Sequence, residues 1–142
     1  ATESPTSALA LTLSPDAPIV LRYDMFTLVL YNRSDRTVSI AGIRFVRLNQ
    51  LGTPISFEVS DWDPVTRGDY VVPSGGCYHV WLISQQFQGV PDYCSSRFGW
   101  EAVGTNRQFW ISSEPGMTFQ VERGSEVLAT CPTNAGECSF NP

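Results

Sequence analysis

His79 is the chain's single histidine, and Cys77 stands two positions before it. A thiol beside an imidazole is the pair that nucleophilic hydrolysis uses. A nucleophilic thiol must be free, however, and Cys77 belongs to an even set: Cys77, Cys94, Cys131 and Cys138. No two of them have the Cys-x-x-Cys spacing of a zinc knuckle. Two disulfides are therefore expected. Three pairings are open. Cys131–Cys138 is favoured because Pro132 to Glu137 between them is rich in turn formers, and Cys77–Cys94 because it ties a strand to the loop after it. Such bonds persist only where the environment oxidises, so the chain is read as extracellular or displayed at the cell surface. His79 is then a structural or surface histidine, and no catalytic residue is assigned.

Carboxylates are the next candidates. Asp61, Asp63 and Asp69 lie in one loop, and such oxygens can hold calcium. The EF-hand pattern is missing, because Thr66 stands where its glycine belongs. A solvated loop is the simpler reading, and no metal or cofactor is assigned. Glu58 with these aspartates has the residue types of a glycosidase pair, but nothing in the sequence sets their separation. Arg67-Gly68-Asp69 matches a short adhesion tripeptide and Asn32-Arg33-Ser34 a glycosylation acceptor; both triplets arise easily by chance.

Aromatic residues carry the larger signal. Trp81 and Trp110 fall in strand-like segments, where core packing is expected. Trp62, Tyr93, Phe98 and Trp100 fall between strands, with Arg97 and Arg107 nearby. Flat rings and guanidinium groups together make a binding platform for a protein or a glycan. The competing reading is that these rings plug the ends of the fold.

Composition bounds the partners. The 142 residues are 42% hydrophobic, 12% aromatic and 16% charged, which is the balance of one folded domain rather than a disordered chain. No apolar run approaches the ~20 residues of a membrane span. Net charge is −5 and the isoelectric point about 4.7, which argues against nucleic acid. All nine basic residues are Arg, so the side chains offer no amine for Schiff-base chemistry.

The elements that must position these groups are strands. Residues 1–8 read as a flexible leader, and 9–142 as a single domain. Leu9, Leu11 and Leu13 alternate with smaller residues. An apolar segment follows from Ile19 to Tyr31, then 37–40, then 43–48, in which Ile43, Phe45 and Arg47 share a face. Ile55, Phe57 and Val59 alternate cleanly. From Cys77 to Ile83, Tyr78, Val80 and Leu82 face one way and Cys77, His79, Trp81 and Ile83 the other. Residues 84–106 look like one long irregular loop, pinned or functional. Phe109 to Ile111 reads as a strand, and 117–122 with 126–130 as a hairpin around Gly124-Ser125. No segment shows helical period. This is the form of an all-β, mostly antiparallel sandwich.

Three stretches are similar to a known family: Phe26 to Asp35 with its Tyr31-Asn32-Arg33-Ser34-Asp35 turn, Val38 to Ile43 with Gly42, and Val72 to Val80 with Gly75-Gly76. Over residues 24–82 the chain resembles the lamin-tail type of immunoglobulin-like β-sandwich. More loosely, the whole chain is similar to bacterial extracytoplasmic domains. Both resemblances imply a binding, scaffolding or surface role, and neither brings catalytic residues.

The expectation is thus a non-enzymatic interaction or structural module outside the cytosol, contacting a protein, a glycan or copies of itself through 84–106. Two alternatives stand beside it. In one, the 9–13 strand joins a neighbour's sheet and builds a filament; in the other, the domain binds or hydrolyses glycans.

Overall fold

The computed structural model describes residues 17–48, 52–62, 70–114, 116–134 and 136–142. Period-two alternation becomes strand at Ile19–Tyr23 (β1), Thr27–Asn32 (β2), Val38–Ser39 (β3), Ile43–Leu48 (β4), Pro54–Glu58 (β5), Val71–Val72 (β6) and Gly76–Leu82 (β7). Ser96–Val103 (β8), Thr118–Arg123 (β9), Glu126–Pro132 (β10) and Glu137–Phe140 (β11) complete the set. The apolar segment 19–31 is two strands rather than one. Asp24 breaks it, its Oδ1 accepting from the backbone amides of Phe26 and Thr27 at 2.8 and 2.9 Å.

The strands form an all-β sandwich. One sheet has the order β11-β1-β2-β7-β8, the facing sheet β10-β9-β4-β5, and β3 pairs with β6 in a small third sheet. Every pairing is antiparallel except β7 with β8. Ile19, Leu21, Leu28, Leu30, Tyr78 and Val80 point inward from the first sheet, to meet Ile43, Phe45, Phe57, Phe119 and Val121. Phe109 stacks on Phe45 at 4.9 Å, and Trp62 meets Phe45 and Phe57 edge-on. Arg47 does face inward with Phe45. Its guanidinium donates to the carbonyls of Phe109 and Gln108 and ties that loop to the core. Phe109 and Trp110 are buried, but in a turn rather than the expected strand.

Residues 84–106 are irregular only in part. An eight-residue strand, β8, lies inside them. The parallel register explains the connection before it: consecutive antiparallel strands can be joined by a two-residue hairpin, but a parallel neighbour requires the chain to travel back along the strand it has just left. Residues 83–95 make that return. Cys94, near its end, is bonded to Cys77 at the start of β7, Cα to Cα 6.0 Å. The second disulfide, Cys131–Cys138 (Cα to Cα 5.7 Å), joins β10 to β11 and so links the two sheets. The expected leader 1–8 and strand 9–13 lie outside the described residues, as do Asp63, Asp69 and the Arg67-Gly68-Asp69 triplet.

Candidate functional site

Pairing register places the outward-facing residues of the five-stranded sheet side by side. One rung runs Val20, Tyr31, Cys77, Arg97; the next runs Arg22, Val29, His79, Trp100; a third holds Thr27, Trp81 and Ala102. The register slips between the first two rungs, where Phe98 is the extra residue of β8. The slip turns Phe98 into the core and lets Arg97 and Trp100, three positions apart, share the outer face. Phe98 packs over Gly76, where any Cβ would lie 2.5 Å from its ring.

Arg97 and the tryptophans form one cluster. Trp81 and Trp100 stack, with ring centroids 5.0 Å apart and planes within 7°. Phe87, from the returning connection, stands edge-on to both at 5.4 and 5.2 Å. The Arg97 guanidinium lies 5.4 Å from the Trp81 ring and 5.1 Å from Phe87, and donates to the Gln88 carbonyl at 2.7 Å. This holds the connection to the sheet and costs Arg97 hydration, which lowers its pKa. Phe87 remains 65% exposed, and Val90 of the same connection and Ile83 just after β7 are exposed too. The cluster therefore presents an apolar rim on a rigid base.

His79 sits at the centre of the face and is only 3% exposed. Arg97 Nη1 lies 3.0 Å from its Nδ1. A guanidinium only donates, so Nδ1 is the acceptor and the proton is on Nε2. Burial first, and Arg97's charge second, push the His79 pKa down to about 4, so the ring is neutral at pH 7. On the far side of His79, Tyr93 meets Tyr31 edge-on at 5.1 Å, and the Arg22 guanidinium covers the Tyr93 ring at 4.5 Å. Val29 and the Cys77–Cys94 disulfide are buried under these rings.

The predicted binding residues are thus separated by the fold. Arg97 and Trp100 join the aromatic cluster. Tyr93 belongs to the same face but to the Arg22 side of His79, and Phe98 points inward. Trp62 is a correction: it is fully buried, its Nε1 donating to the His79 carbonyl at 2.7 Å, so it is core and has no surface to offer. Arg107 is remote from the cluster, paired with Asp61 and lying over Phe57. Asn32 is the second correction. It is fully buried, and its amide donates both hydrogens, to the Arg36 carbonyl at 2.7 Å and the Val72 carbonyl at 2.8 Å. The folded protein has neither a free amide nor room there for a sugar. Cys77 is in a disulfide, which removes the thiol that a Cys–His reading needs.

Trp81, Arg22 and Tyr31 escape a reading by loops alone. The signal that finds Trp81 is the strand face it shares with Cys77 and His79, opposite the core residues Tyr78 and Val80. The two disulfides fit an oxidising setting, and no helix among the described residues is long and apolar enough to cross a membrane. No family model matches the chain, and no curated protein is significantly similar to it.

Proposed function

We propose that this protein is a non-enzymatic recognition module of the extracytoplasmic space, of the lamin-tail sandwich type, whose contact surface is the β8 end of the outer sheet face. One observation carries the reading. The Trp81–Trp100 stack, Phe87 and Arg97 are locked together by the disulfide-pinned connection, and the assembled rim leaves Phe87 and Val90 exposed. Pre-ordered rings of this kind bury area on a partner at little entropic cost. Asn32 supports the lamin-tail likeness, since it binds the turn it begins and reaches the chain at Val72.

The test is binding of the purified protein to intact cells of its own source, read by flow cytometry. Saturable binding that is lost in Phe87→Ala/Trp100→Ala and kept in Arg44→Ala, on the opposite sheet, is expected. Binding that survives the double substitution sinks the reading, as does turnover in a polysaccharide hydrolysis screen.

A second reading is favoured by the edge of β8. Among the described residues no strand pairs with its far side, and a groove of about 530 Å³ lined by Val90 and residues 95–100 lies against it. An extended segment of another copy, with 9–13 as the donor, would complete that edge. Sedimentation at rising concentration tests it: polymers abolished by Leu11→Asp support strand addition, and a monomer at every concentration removes it.

A further inference from the structure

The outer face holds a second feature beside the aromatic rim. A cleft of about 360 Å³ opens between the Asp24 turn, the Tyr93 side of the connection and Glu137. Its size lies at the lower end of small-molecule sites. Among the described residues, two buried side-chain polar atoms lack a hydrogen-bond partner, His79 Nε2 and Arg22 Nε, and both residues line this cleft. Arg22 Nε is ion-paired with Glu137 Oε1 at 3.7 Å, too far for a hydrogen bond. Because Nδ1 is committed to Arg97, His79 Nε2 is a donor, and leaving a buried donor unmet costs about 1–3 kcal/mol. Two such donors in one cleft mark a place where a ligand supplies acceptors.

The charges around the donors narrow its chemistry. Asp24 and Glu137 line the same cleft, and Asp24's charge is felt by both His79 and Tyr93. With Arg22 charged and His79 neutral, the lining carries one positive and two negative groups. An anion would meet both carboxylates. A cation would meet the positive ends of two N–H bonds and a guanidinium. A group that accepts and donates at adjacent atoms satisfies all four, and a vicinal diol is that group. Pro91 lines the same cleft, as does Tyr93 beneath the Arg22 guanidinium, and they give it an apolar side.

We propose that this cleft binds a neutral saccharide, with neighbouring hydroxyls accepting from His79 Nε2–H and Arg22 Nε–H and donating to the carboxylates of Asp24 and Glu137. The site shares Arg97 with the aromatic rim, through its bond to His79 Nδ1, but neither Phe87 nor Trp100 lines it, and the two are tested by different variants.

The experiment is an NMR titration of the full chain at pH 7, following the His79 imidazole and the Tyr93 ring. The probes are neutral methyl pyranosides of gluco, galacto, manno and N-acetylglucosamine type, with glucuronate and glucosamine as charged counterparts. A saturable shift with at least one neutral glycoside is expected, with Kd on the order of 1 mM, and weaker binding of both charged sugars. His79→Leu should weaken binding at least tenfold. His79→Gln, which restores a donor near Nε2, should recover it. Arg44→Ala, on the opposite sheet, should leave it unchanged, and near-UV circular dichroism reports whether each variant keeps its fold. The proposal is overturned if no neutral glycoside saturates, if glucuronate or glucosamine binds more tightly, or if folded His79→Leu binds as the parent does.

Discussion

Cys131 and Cys138 are seven positions apart in the chain, yet their sulfurs join opposite sheets of the sandwich. Both are fully buried in the main core. The chain leaves the four-stranded sheet at Pro132 and enters the five-stranded sheet at Glu137, and the bond closes the core at that edge. Cys77–Cys94 does the opposite: it lies on the outer face and secures the connection on which the candidate site is built.

The two bonds should therefore fail differently. For Cys131→Ala/Cys138→Ala, chain entropy for the closed loop is worth about 2.5 kcal/mol. Lost packing between the sheets adds to it, so a total loss of roughly 3–5 kcal/mol is expected. Urea denaturation measures it, and an unchanged midpoint contradicts an inter-sheet role.

Cys77→Ala/Cys94→Ala releases a longer loop, about 3 kcal/mol by the same relation, but its first effect should be local. Amides of residues 84–95 should exchange faster than those of β1 and β2, and the exciton signal of the Trp81–Trp100 stack should weaken. Hydrogen exchange by mass spectrometry reads the first and circular dichroism the second. Uniform protection across both regions would contradict the pinning.

His79 gives a pH dependence with a definite sign. Its folded pKa is about 4, against about 6.5 for a free imidazole. Between those values the unfolded chain takes up the proton first, so stability falls as pH drops from about 6.5 to 4 and is flat above. The loss approaches ~3 kcal/mol by linkage. Arg97 on β8 and Asp24 on the β1–β2 turn are the charges that face the ring. Urea midpoints at pH 7 and 4.5 should differ in the parent and converge in His79→Gln; equal slopes in both would remove His79 as the cause.

Asn32→Ala strands the carbonyls of Arg36 and Val72 and should cost roughly 2–4 kcal/mol. Protein secreted from a glycosylating host should carry no sugar on Asn32. Thermal melts check the first outcome and intact mass the second.

The fold was legible wherever alternation was clean. In β4, β5, β7 and β9, the residues that alternate in the sequence alternate between core and outside in the structure. That regularity fails in β8 because Phe98 is inserted into its register, so Arg97 and Trp100 face the same way at a spacing that period two assigns to opposite faces. The strand is also parallel to its neighbour, so no turn residue marks its pairing. The candidate site was legible as residue types but not as groupings: Trp62 and Trp100 read alike, yet one is core and the other lies on the outer face.

Composition and alternation by themselves determined an acidic, oxidised, all-β domain, because burial periodicity and cysteine number are local properties of the chain. Tertiary structure alone decided that Arg97 meets His79, that Arg22 covers Tyr93, and that two donors face one cleft. The first joins the neighbouring strands β7 and β8, the second joins β1 to the 83–95 connection, and the third brings β1 and β7 together across β2; all are distant in the sequence, and register across a sheet is set by the packing of every strand at once.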